Sequence, residues 1–256
     1  MNQRFTSLPR EQFITGGILA ISTLLAWLIA VSMKMPDGIT RIGSAGSPDS
    51  MSGNWLTFVA FLFMWVSMMI AMMFPSAAPM ILLFNRLVQQ RKAQGQAFVP
   101  TWIFVAGYLA IWTAFGVVAY LVIWIVQSGS TRISDGYLLQ PIRVGQGILL
   151  VLAGLYQFSP LKTVCLRHCQ SPLGFIARHW REGIAGAFRM GLYHGAYCLG
   201  CCWGLMLVLF AVGLMNLAAM GLLTLIIFLE KVSRYGMVLG RIVGVGLVGL
   251  GVYLIL

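Results

Sequence analysis

Seven apolar runs, separated by short polar tracts, pattern the chain at residues 13–33, 55–74, 101–126, 141–158, 190–215, 217–232 and 236–256. Runs of about 20 apolar residues are long enough to cross a bilayer as helices, and they favour helices over a barrel. The pattern predicts an all-α, polytopic helical bundle of about seven transmembrane helices, forming a single membrane domain over residues 1–256. In the second run, Pro75 and Pro79 are expected to kink or end the helix near the membrane interface. The tract at 34–54 is rich in Gly, Ser, Pro and Asp and reads as a loop. Residues 85–98 and 159–189 read as basic loops, and 127–140 as a polar turn. Gly236, Gly240 and Gly244 recur at four-residue spacing, a pattern that favours close helix packing.

Composition sharpens this picture. Hydrophobic residues make up 59% of the 256 and charged residues only 9%, whereas soluble domains carry about a quarter charged residues. An integral membrane protein follows. A net charge of +11 would suggest nucleic acid in a soluble chain, but here the cations sit in loops, where their role is topogenic, and no nucleic-acid partner is expected. With the N-terminus cytoplasmic, only Lys34, Arg41, Arg132 and Arg143 fall outside, against thirteen of the 17 Lys and Arg inside. This is a positive-inside bias, placing a multi-pass protein in a bacterial inner membrane among lipids. Trp102, Tyr108, Trp112 and Trp124 are expected partly at the membrane interfaces.

The candidate chemistry lies in the fifth run. Residues 191–203 read G-L-Y-H-G-A-Y-C-L-G-C-C-W, setting His194, Cys198, Cys201 and Cys202 within an apolar segment. On a helix, positions three and four apart share a face. Imidazole and thiolates within two turns suit a soft metal ion, above all Cu(I). A second cluster, Cys165, His168 and Cys169, follows the fourth run. The topology brings both to the cytoplasmic end of the membrane, beside Met72 and Met73 of the second run, with Cys165, Cys169, His194 and Cys198 expected as the acceptor set. Met206 lies further along the face that carries Cys202, so the ligands describe a ladder; Met215 and Met220 flank the turn beyond it. Five cysteines in two short stretches do not form a disulfide framework.

Each feature also has a plainer reading. Cysteine is a common small hydrophobe in buried helices, and methionine is routine filler. An ionisable residue inside a span, such as His194, is costly and usually functional. A passive metal transporter remains an alternative, although every Asp and Glu is expected in a loop or at a span end, where a proton-coupled carrier would bury acids near the midplane. A membrane thiol oxidoreductase using Cys198 and Cys201 is another alternative, and a structural subunit of a larger membrane complex a third. Enzyme activity is not expected.

The chain resembles the bacterial predicted metal-binding integral membrane proteins, a family with members described as membrane copper chaperones that help load a copper enzyme such as a tyrosinase. The resemblance rests on A-M-M-F-P-S-A-A-P-M at 71–80, S-P-L-K-T-V-C-L-R-H-C-Q-S-P at 159–172, H-G-A-Y-C-L-G-C-C-W at 194–203 and M-N-L-A-A-M at 215–220. It implies copper handling through the Cys, His and Met positions of these blocks, and a client copper protein as partner.

Overall fold

The computed structural model describes residues 7–32, 55–96, 99–130, 139–214 and 216–256. Among them it contains nine helices and no strand: α1 (Ser7–Ser32), α2 (Trp55–Ala93), α3 (Thr101–Ser130), α4 (Leu139–Tyr156), α5 (Pro160–Gln170), α6 (Pro172–His179), α7 (Gly183–Val212), α8 (Leu217–Val232) and α9 (Gly236–Ile255). Helices α1, α2, α3, α7 and α9 are long and apolar enough to cross a membrane, and α4 with α5 makes one further candidate, bent by 62° at its break. The expected span at 217–232 is the 16-residue α8, about 24 Å long and short of the hydrocarbon thickness. Lys34, Arg41, Arg132 and Met215, on which parts of the topology and ladder rested, lie outside the described residues.

The expectation that the second helix ends near residue 74 is corrected. Helix α2 runs 39 residues, through Pro75 and Pro79. Proline lacks an N–H, so Pro75 leaves the carbonyl four residues earlier, that of Ala71, without its helical donor. The indole Nε1–H of Trp27, from α1, donates to that carbonyl at 3.1 Å. The supposed loop at residue 85 is likewise helical. Asn85 is buried, donating to Thr15 Oγ1 at 2.9 Å and accepting from Thr101 Oγ1 at 3.0 Å, so one amide ties α2 to α1 and α3.

The basic stretch after residue 158 is also helical rather than a loop. Ser159 caps α5 by accepting from the Lys162 backbone N–H, and Pro160 occupies its first turn. This is the serine–proline start that a helix N-terminus favours. Helix α7 begins at Gly183, seven residues before the expected 190, and closes at Gly213 with φ 115°. Asn216 caps α8 by accepting from the Ala219 N–H at 3.0 Å.

Helix α7 is the axis of the bundle, packing against α3, α4, α5 and α8, while α2 packs on α1, α3, α6 and α8. Close approach depends on missing side chains. A Cβ at Gly191 of α7 would collide with the Phe104 carbonyl of α3, and one at Gly107 of α3 with the Phe188 carbonyl of α7. The glycine pattern of the last run serves the same end within the chain. Gly244 and Gly251 of α9 lie against Gly154 and Gly147 of α4, with backbone oxygens as near as 2.6 Å to where a Cβ would stand. The expected interfacial aromatics divide: Trp102 and Trp124 are exposed, but Tyr108 and Trp112 are fully buried, and Trp65 Nε1 donates to the Trp112 carbonyl at 3.0 Å.

Candidate metal centre

Five helices, α2, α3, α4, α5 and α8, meet α7 over the single turn from Cys198 to Cys202. Cys198, Cys201 and Cys202 are all buried. The thiols of Cys201 and Cys202 both donate to the Cys198 carbonyl, at 3.1 and 2.8 Å. Being adjacent in sequence, they leave the helix about 100° apart, and so face different neighbours. Cys201 Sγ lies 3.9 Å from Cys169 Sγ of α5. Cys202 Sγ lies 4.0 Å from Met73 Sδ of α2.

Cys165 lies one turn before Cys169 and faces the same helix. Its sulfur would stand 2.6 Å from a Cβ at Gly200, so that glycine makes room for α5 against α7. Tyr156 Oη donates to the Gly200 carbonyl and stacks edge-on against Trp203 at 4.7 Å. His168 is half-buried, its Nδ1 2.9 Å from the Val164 carbonyl and its ring stacked on Tyr197 at 4.3 Å.

His194 sits one turn before Cys198, buried and stacked on Phe104 and Tyr108 with centroids 5.8 and 5.6 Å away. Phe175 meets its ring edge-on. Both ring nitrogens lack a hydrogen-bond partner. A buried polar group normally finds one, so this imidazole has unused ligand capacity. Met72 and Met206 are fully buried in the core, and among the described residues no thiol hydrogen bond reaches either.

The expected acceptor set of Cys165, Cys169, His194 and Cys198 is therefore not gathered at one point. Among the described residues, no three His, Cys, Asp or Glu side chains converge as a ready metal site. The structure instead brings sulfurs together in pairs, one on each flank of α7.

Buried charged groups complete the centre. Lys162 and Lys231 are buried rather than cations of cytoplasmic loops. Glu230, expected at a span end, does close α8, but it is buried and receives Lys162 Nζ at 2.9 and 2.8 Å on its two oxygens. Gln157 also accepts from Lys162 Nζ. Lys231 Nζ donates to Cys198 Sγ at 3.0 Å and to Ser76 Oγ at 3.1 Å. Tyr108 Oη shares a hydrogen bond with Cys198 Sγ at 3.1 Å. The signals available were slight: Glu230-Lys231 closes an apolar run, and Tyr108 lies in the middle of one. Gln170 Nε2 holds the end of α5 by donating to the carbonyls of Glu230 and Ser233 at 2.7 and 3.1 Å.

Paired soft ligands in an apolar bundle, with a buried ammonium beside them, suit a soft, low-valent metal ion carried as cargo. No curated protein and no solved structure matches the chain. A family model described as PpoB2, copper chaperone, matches residues 62–254, which takes in α7 and every sulfur of both pairs. The chain belongs to the PpoB2 family of copper chaperones.

Proposed function

We propose that this protein is a membrane-embedded copper chaperone that holds Cu(I) on paired sulfur ligands and hands it to a client copper protein. In this reading it is a multi-pass protein of a bacterial inner membrane with its N-terminus in the cytoplasm, and it catalyses no reaction. The exposed apolar side chains of α1, α3 and α9 support the membrane placement. The observation that carries the copper reading is the pair of two-sulfur contacts on opposite flanks of α7. Metal–thiolate bonds are about 2.3 Å long, so sulfurs 3.9 Å apart need part by less than about 1 Å to hold one ion between them. Two soft ligands satisfy Cu(I), whereas divalent metals ask for more.

Cys169 and Cys201 form the first seat, and Cys202 with Met73 the second. Cys198, on the same turn, is held by Lys231 and Tyr108 instead. Cys165 and His168 guard the α5 side, and His194 is the reserve ligand one turn away. Met72 and Met206 serve packing.

Cu(I) affinity of the detergent-purified, reduced protein tests this assignment. Cys169→Ser and Cys201→Ser should each weaken binding by roughly 10–100-fold, while Arg86→Ala, on the exposed side of α2, should change nothing. Equal binding by all of these proteins would remove the site.

A further inference from the structure

Lys231 is not needed to ligate a metal, yet it is buried to 7% exposure at the centre of the thiol cluster. Its ammonium contacts one thiol and one hydroxyl, and it lies in the electrostatic field of Cys198, Cys201, Cys202 and Tyr108. Among the described residues it has no carboxylate within ion-pair distance. The neighbouring Glu230 is already matched by Lys162. One unbalanced positive charge thus stands beside the sulfurs in an apolar core, where only a negative partner makes it tolerable.

We propose that Lys231 is the fixed counter-cation of the sulfur cluster and makes it selective for a monovalent soft ion over a divalent one. This rests on the copper-binding reading above and adds the basis of its selectivity. Thiol ligands bind as thiolates. Two thiolates, one monovalent ion and the ammonium carry no net charge together. The same set around a divalent ion carries one excess positive charge in a low-dielectric interior, where that excess is strongly disfavoured. A third thiolate would restore the balance, but Cys202 turns to Met73 on the far flank of α7, and Cys198 is engaged by Lys231 and Tyr108. Lys231 is therefore a selectivity residue that acts through the ligands without touching the metal.

Competition between Ag(I), a stable monovalent probe, and Cd(II), a thiol-seeking divalent one, reads this directly as the ratio of metals bound by the full-length protein in detergent. Lys231→Met keeps the length and apolar stem and removes the charge. Ser76→Asp keeps Lys231 and supplies the carboxylate it lacks, at a position whose present side chain lies 3.1 Å from the ammonium. Both should shift the bound ratio toward Cd(II) by roughly tenfold or more relative to wild type. Should Lys231→Met fail to fold, Ser76→Asp alone decides. A ratio unchanged from wild type in whichever variant folds overturns the proposal while leaving copper binding intact. A wild type that takes up neither Ag(I) nor Cu(I) removes the copper-binding reading itself, and the selectivity role falls with it.

Discussion

Trp27 and Ala71, 44 residues apart, are joined by an indole-to-carbonyl hydrogen bond of 3.1 Å, and the carbonyl is the one that Pro75 deprives of its helical donor. A side chain of α1 thereby repairs the backbone of α2 close to Met73. Trp27→Phe should cost about 1–2 kcal/mol by leaving that carbonyl unsatisfied. Pro75→Ala restores the missing N–H, so the cost of Trp27→Phe should shrink in that background. A double-mutant cycle on thermal stability in detergent measures the difference, and an unchanged cost would mean that the indole contributes packing alone.

Glu230 and Lys162 are both almost fully buried and bonded to each other. Removing one partner leaves an isolated buried charge, so Glu230→Gln and Lys162→Met should each destabilise by about 3–5 kcal/mol. The double variant Glu230→Leu/Lys162→Met should recover most of that loss, since it leaves no charge behind. Losses in the double variant as large as the sum of the singles would contradict this account.

Glycines in these helices are expected to sort by what lies opposite them. Gly191→Ala places a methyl against the Phe104 carbonyl and should push α3 from α7, parting Tyr108 from Cys198 and lowering the melting temperature. Gly246, in α9, has nothing within 4 Å of where a Cβ would stand. Gly246→Ala should therefore be neutral, or stabilising by up to about 1 kcal/mol through helix propensity. The two melting curves, taken side by side, check both statements.

Met73→Leu conserves volume while removing the thioether that faces Cys202. Such swaps usually cost less than about 1.5 kcal/mol in stability. Cu(I) affinity should fall only a few-fold, less than for Cys201→Ser, because a neutral thioether is a weaker ligand than a thiolate and the first seat is untouched. Affinity titration of the two variants gives the order; a larger loss for Met73→Leu would reverse the ranking of the seats.

The legible part of this protein is the part governed by hydropathy and composition. Long apolar runs fall on α1, α2, α3, α7 and α9, and the Cys-Leu-Gly-Cys-Cys block falls on the turn where the helices converge. What escaped were cases where tertiary partners override a local rule. Pro75 reads as a helix end because nothing near it in sequence reveals Trp27. Lys162 and Lys231 read as loop cations because their partners, Glu230 and Cys198, lie 68 and 33 residues away. Helix α5 was signalled by Ser159-Pro160, but its basic composition concealed it within a loop. The division of Cys201 from Cys202 needed the helix phase, which only the packing of α7 supplies.

That division has a consequence for traffic. Cys169 is only half-buried, whereas Met73 on the other side is wholly enclosed. A donor that docks against α5 and an acceptor served from the α2 side would not compete for one surface. In the copper-handling reading, an ion would enter at the half-open α5 flank, and its release from the enclosed α2 flank would require the bundle to part there.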